Sequence, residues 1–281
     1  MNDALGQSQL AENGLCFYVR GERSEWPDLV LEHGGGGNAV HWAQLAPLLA
    51  THGRVFSYDR AGSGGSAADA QGHGAAATTQ RLSRLVEQMG VRKPFVLAGY
   101  SLGGLYARHY AASHPQDVRA LVLVDATPTG LEIRPGQLRR VRVMLWALHW
   151  LARSGVVPLW WNITRKEVSP ALRRDLKEFC APGRPARMVE ELRATARIRG
   201  EVARLAPRLS HPTLALVAGC RPGMSAAETA RLRDMYLALM NDAPAGSRMV
   251  EIAAADHGSI LKDAAAVAQC AAQIREFVRG L

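Results

Sequence analysis

Phe95-Val96-Leu97-Ala98-Gly99-Tyr100-Ser101-Leu102-Gly103-Gly104-Leu105-Tyr106-Ala107-Arg108 decides how the rest of this chain is read. The apolar residues 95–98 have the length and composition of a buried strand, and residues 105–113 read as a helix. Between them, Gly99 and Gly103 bracket Ser101 in the pattern G-x-S-x-G, which sets a serine on a sharp turn from strand to helix. So tight a turn strains the serine's backbone, and side chains at 99 and 103 would strike strand and helix. Ser101 is therefore the candidate nucleophile.

Outward from this stretch, strands and helices alternate. Residues 15–20 and 29–32 read as strands, the second ending at His33 with glycines 34–37 behind it. Residues 40–50 read as a helix, and residues 55–58 as a strand that closes on the turn-rich run Asp59-Arg60-Ala61-Gly62-Ser63-Gly64. Residues 78–89 carry the helical stripe Leu82, Leu85, Val86 and Met89. Downstream, residues 121–124 form an apolar strand ending at Asp125, residues 213–217 and 249–252 supply two more strands, and residues 262–281 form a closing amphipathic helix. This alternation predicts an α/β protein with a mostly parallel central sheet and helices on both faces. After Pro128 the pattern breaks into helical segments rich in Arg and Trp that run to about Pro207. Residues 1–127 and 208–281 are accordingly expected to form the core, and residues 128–207 a helical cap insertion.

With 281 residues, 48% of them hydrophobic, the chain is long enough to bury one large core. Its first ten residues are polar and small, which predicts a cytoplasmic protein. The apolar segment 143–152 contains His149 and lies between Arg142 and Arg153, too short for a membrane span. Cys16, Cys180, Cys220 and Cys270 form no C-x-x-C pair, which argues for reduced thiols, with neither a disulfide framework nor a metal site. The glycine run lacks the G-x-x-x-x-G-K-S/T of a phosphate cradle, and no G-x-G-x-x-G with an acidic partner occurs, so no cofactor is implied.

The net charge of +9 is unevenly placed: residues 134–208 hold 17 of the 34 Lys and Arg against six acids, leaving the remainder close to neutral. Such a segment suits an anionic substrate, an acidic partner or a phospholipid surface, and equally a solvated arginine-rich face. Nucleic acid is disfavoured, because the arginines interleave with apolar residues at helix spacing and no reader motif accompanies them. Trp146, Trp150, Trp160 and Trp161 are candidates for the wall of an apolar substrate pocket, for peripheral membrane contact through the basic cap, or for packing within the cap.

In order along the chain, Leu31-Glu32-His33-Gly34-Gly35, Asp59-Arg60-Ala61-Gly62-Ser63-Gly64, Gly99-Tyr100-Ser101-Leu102-Gly103 and Asp256-His257-Gly258 resemble the landmarks of the α/β-hydrolase fold superfamily. The resemblance runs from residue 15 to the carboxyl end. It is nearest to capped esterase and lipase-like members, whose elbow continues into Leu-Tyr-Ala-Arg and whose next strand ends in Leu-Val-Asp. It implies fold and reaction type, a serine hydrolase that acts on a carboxylic ester or related acyl compound through an acyl-enzyme with no cofactor, while the four tryptophans of the expected cap point to a small-molecule substrate with an apolar acyl or alcohol group.

That fold's chain order of nucleophile, acid and histidine points to His257, which follows the last strand. The usual place for the acid, after the penultimate strand, reads Ala218-Gly219-Cys220-Arg221-Pro222-Gly223 and holds no carboxylate. Some members carry the acid one strand earlier, where Asp125 stands, and Asp125 is the chosen acid, with Glu228, Asp234, Asp242 and Asp256 as rivals. For an oxyanion hole, position implies the N–H of Leu102 with that of Gly35, and Gly34 next. The Asp59 run resembles the superfamily's structural turn. A serine nucleophile argues against epoxide hydrolase and dehalogenase chemistry, which in this fold use aspartate. Thioesterase, lactonase, amidase, carbon–carbon hydrolase and perhydrolase activities stay open, as does a binding module that keeps the elbow without a competent acid.

Overall fold

The computed structural model describes residues 5–69, 72–131 and 184–281, with Arg139, Val143, Trp146, Ala147 and Trp150 between them. Most of the expected cap, including Trp160 and Trp161, lies outside the described residues. Eight strands form one sheet. In chain order they are β1 (Gln7–Leu10), β2 (Cys16–Arg20), β3 (Leu29–Glu32), β4 (Val55–Tyr58), β5 (Phe95–Tyr100), β6 (Val118–Val124), β7 (Thr213–Ala218) and β8 (Arg248–Ile252). Their spatial order is β1-β2-β4-β3-β5-β6-β7-β8. Pairing is antiparallel from β1 to β2 and from β2 to β4, and parallel across the rest.

The predicted elbow strand lies mid-sheet between β3 and β6 and is buried at every position, as a parallel strand covered on both faces must be. Its pleat sends Val96, Ala98 and Tyr100 into one apolar cluster, and Phe95 and Leu97 into the other. The helices around the sheet are α1 (Ala46–Leu49), α2 (Ala75–Gln88), α3 (Leu102–Ser113), α4 (Arg184–Leu205), α5 (Ala226–Asn241) and α6 (Ala264–Arg279). On the first face α6 buries Val267, Cys270, Ile274 and Phe277, spaced by three and four residues, beside Trp42 and Leu49. On the second, α2 presents Leu82, Leu85 and Val86, and α3 presents Ala107 and Tyr110. Each large side chain so removed from water contributes about 1.5–3 kcal/mol before entropic costs.

Helix α3 is buried along most of its length, because α4 covers the flank that the sheet and α2 leave open. Leu102, Leu105 and Tyr106 of α3 pack against Ile198, Val202 and Ala206. The chain is thus back in the helical layer with α4, which ends at Leu205 before β7 begins.

Two local expectations change. Residues 40–50 are not one helix but a 3₁₀ turn, Ala39–Trp42, followed by the short α1. Pro47 is responsible: it has no N–H to donate and its ring would strike the carbonyl of Ala43, so a helix begins at Pro47's first turn and cannot run through it. Helix α5 went unpredicted, although Ser225 and Glu228 cap it reciprocally through Oγ accepting the Glu228 N–H at 3.2 Å and the carboxylate accepting the Ser225 N–H at 2.9 Å. Among the described residues no helix is long and apolar enough to cross a membrane. Among the described residues, Cys16, Cys220 and Cys270 form no disulfide.

Candidate active site

Ser101 is the hinge between β5 and α3, with φ 53° and ψ −121°. A non-glycine residue in such backbone costs on the order of 1–3 kcal/mol and persists only where its surroundings impose it. Here the Ser101 N–H donates to Val124 O at 3.1 Å and its carbonyl accepts from the N–H of Gly104 and of Thr127 at 3.0 and 2.9 Å. The flanking glycines are sterically required. A Cβ on Gly99 would stand 2.5 Å from the Gly103 carbonyl oxygen, and one on Gly103 would stand 2.5 Å from the carbonyl oxygens of Glu32 and His33. Helix α3 can thus start hard against the end of β3, with the serine at the sheet's rim.

Asp125 sits at the matching point after β6 and also has positive φ, 39°. Its N–H donates to Leu216 O of β7 at 2.7 Å, which fixes where its side chain leaves the sheet. His257 Nδ1 lies 2.5 Å from Asp125 Oδ2. An ionised carboxylate only accepts hydrogen bonds, so Nδ1 carries the proton and Nε2 of the neutral ring keeps its lone pair. The His257 ring stacks on Tyr100 with centroids 5.2 Å apart, and the Tyr100 hydroxyl donates to the His257 carbonyl. Burial raises the Tyr100 pKa, and Asp125 and Asp256 add to the effect, so the phenol stays a donor.

Three of the four rival acids have other partners. Glu228 caps α5, and Asp242 lies 3.5 Å from Arg208. Asp256 accepts the N–H of Gly258 and of Ser259 at 2.7 and 2.9 Å, which makes the turn that presents His257. Asp234 lies along α5.

The Asp125 carboxylate has a second side-chain partner that its position in the sequence does not announce. Arg221 Nη1 donates to Oδ2 at 2.7 Å and Nη2 to Oδ1 at 2.6 Å, while the N–H of Ala218 donates to Oδ1 at 3.0 Å. Burial works to raise the Asp125 pKa, but the hydrogen bonds and charges of His257 and Arg221 outweigh it and hold it at about 2. The chain thus places a cation where the resemblance led one to look for an acid. The vacancy after β7 combined with an isolated aspartate after β6 was the available signal.

Of the oxyanion candidates, Leu102 opens α3, so its N–H is one of those the helix leaves without an internal acceptor. Gly35 lies against it: a Cβ there would be 3.1 Å from Leu102 Cδ2. Gly34 differs from expectation, because its N–H is engaged by His41 Nδ1 at 3.2 Å. The neighbouring Gly36 N–H donates to Glu191 of α4.

Glu191 belongs to a buried cluster that sequence reasoning missed. Arg60 donates to it through Nε at 3.0 Å and Nη2 at 2.6 Å, and to Glu32 and the carbonyls of His33 and Gly34 as well. Burial alone would lower the Arg60 pKa, yet the carboxylates of Glu191 and Glu32 push it upward. Asp59, the first residue of the same turn, accepts the N–H of Ala39 and of Gly65 at 2.8 and 2.9 Å. The turn therefore has the structural part expected of it. Replacing Arg60 by methionine would leave Glu32 and Glu191 facing each other in the interior, with an expected loss of about 3–5 kcal/mol in urea unfolding. A loss below about 1 kcal/mol would mean the cluster is not what anchors the glycine loop.

Ser101, Asp125 and His257 border one cleft of about 440 Å³. Its apolar wall comes from Ala126, Pro128 and Leu131 after β6, Pro222 and Met224 after β7, and Leu232 and Tyr236 of α5. Of the tryptophans expected there, Trp146 and Trp150 do not line it: they form a T-shaped pair and stand 64% and 55% exposed. Among the described residues no cluster of His, Cys, Asp or Glu has the makings of a metal site.

Comparison with known proteins shows what these features resemble. A family model described as alpha/beta hydrolase fold matches residues 27–159. A pimeloyl-(acyl-carrier protein) methyl ester esterase from Klebsiella pneumoniae is 40% identical over 100 residues, a match that spans 36% of this chain and only 37% of that esterase. Among solved structures, a thermophilic esterase from Thermogutta terrifontis superposes with a TM-score of 0.68 at 20% identity, covering 98% of this chain and 99% of that one. The enol-lactonase from Burkholderia xenovorans does so with a TM-score of 0.67 at 20% identity, covering 94% and 96%. Because the likeness in fold extends over nearly the whole chain and the family model falls on the strands and turn around Ser101, this protein has the α/β-hydrolase fold.

Proposed function

We propose that the protein is a serine hydrolase that cleaves a carboxylic ester, with Ser101 as nucleophile, His257 as general base and acid, and Asp125 as the carboxylate that orients the histidine. One observation carries the reading: the His257 Nδ1 to Asp125 contact, at 2.5 Å, borders the same cleft as a serine held in strained backbone at a strand-to-helix turn. In this arrangement Nε2 takes the Ser101 proton as Oγ attacks the ester carbonyl, and the carboxylate stabilises the imidazolium so formed. The oxyanion is met by the N–H groups of Leu102 and Gly35, each such donor being worth about 3 kcal/mol in the transition state. The imidazolium then protonates the departing alcohol, and the same base activates water to release the acyl group. The relatives named as esterases support ester cleavage, and Asp125 beside His257 removes the reason for reading the chain as a binding module without an acid.

The apolar wall of the cleft favours an acyl or alcohol group of moderate size over a charged one. A methylene removed from water contributes about 0.8 kcal/mol, so kcat/KM for p-nitrophenyl esters is expected to rise roughly fourfold per added methylene until the cleft is full. A flat or falling series from acetate to octanoate would count against this pocket. Labelling by a fluorophosphonate tests the reaction class: wild type should react, and Ser101→Ala and His257→Ala should not. Labelling that survives Ser101→Ala would remove Ser101 from its role.

A further inference from the structure

We propose that Arg221 is a positioning residue of this site, clamping the Asp125 carboxylate in the plane His257 needs while offsetting part of the negative charge that the imidazole meets. This rests on the serine hydrolase reading above. The clamp follows from the contacts. Two guanidinium nitrogens at 2.7 and 2.6 Å grip both carboxylate oxygens, a two-point fork that fixes the plane of the group as well as its distance. Without it, rotation about the Cβ–Cγ bond of an aspartate is soft, and the Ala218 N–H, the histidine itself and the neighbouring Tyr236 hydroxyl would be left to resist turning.

The offset follows from sharing. Oδ2 accepts from Arg221 and His257 together, so when His257 gains its second proton two positive charges bear on one oxygen. The Arg221 side chain is only 9% exposed, and its charge is little screened by water. Around His257, Asp125 and Asp256 are the acids, Tyr100 is a neutral phenol and Cys220 a thiol in the same cleft wall. Asp256 is exposed to solvent and bound to its own turn. Among the described residues of that wall, Arg221 is the cation that opposes the imidazolium.

Clamp and charge separate by substitution. Arg221→Lys keeps the charge and loses the fork, whereas Arg221→Met loses both and keeps the apolar stem; Arg221→Gln replaces Met if that variant does not fold. The readout is kcat/KM for a p-nitrophenyl ester against pH, with a thermal melt of each variant. Removing the cation strengthens the carboxylate's hold on the protonated ring, so the acid limb of the Met or Gln profile is expected to move up by about one pH unit. The Lys profile should keep its acid limb in place, and plateau activity should fall about 10- to 100-fold in each variant as the carboxylate loses its setting. An unmoved acid limb in the uncharged variant, with lower stability alone, would reduce Arg221 to a structural role and overturn the proposal. Failure of the underlying reading would show separately, as wild-type turnover by Ser101→Ala.

Discussion

Ser101→Ala is expected to lower kcat for p-nitrophenyl esters by about a million-fold, the loss that accompanies removal of a nucleophile acting as one unit with its base. The structure makes this substitution a clean one. Ser101 provides no side-chain cap to α3, so the missing Oγ leaves no cap bond broken. Alanine has the same Cβ as serine and tolerates φ 53° no worse, so the melting temperature should stay within a few degrees of wild type. What remains would be the contribution of the oxyanion donors and of binding, roughly a thousandfold over water. Turnover within tenfold of wild type would end the case for a nucleophilic serine.

Asp125→Asn should cost about ten-thousandfold in kcat, because the amide no longer selects the ring tautomer that leaves Nε2 free to accept. The Arg221 contact adds a cost in stability. An asparagine cannot serve as acceptor to both Arg221 and His257 with the same two atoms, and it leaves the guanidinium without a counter-charge. A loss of about 3–5 kcal/mol on chemical unfolding should therefore accompany the kinetic loss. Acid has a related effect. Since the Asp125 pKa falls from the ordinary value to about 2, its stabilisation is complete above the unfolded value, near 4, and disappears as pH drops through the folded value. A stability profile with no contribution from Asp125 between pH 4 and 2, measured as the difference between wild type and Asp125→Asn, would contradict the buried ion pair.

The parts legible in the sequence were those whose cause is local. Gly99 and Gly103 announce the elbow because the close approach of α3 to β3 and β5 excludes any side chain there. Leu82, Leu85 and Val86 announce α2 because one face of a helix must be apolar to be buried. His257 and Asp125 were legible by their places after particular strands, not by anything in their immediate neighbours. Arg221 was not, since what it does depends on a partner 96 residues away whose direction is set by the pairing of β6 with β7. Glu191 was hidden for the same reason: among the charged residues of α4, nothing marks it as the one that turns inward to Arg60. The exposed Trp146 and Trp150 show the converse, that a large apolar residue carries no address of its own.

The reach of Glu191 from α4 to the Gly36 amide has a practical side for anyone recombining these proteins. A chimaera that exchanges the chain between β6 and β7 keeps the host's own tether where its downstream seam falls ahead of Glu191, and keeps α4 whole where that seam falls ahead of residue 184. Cutting behind Leu205 would hand the glycine loop to a stranger's helix, and Arg60 would keep Glu32 but lose its second carboxylate.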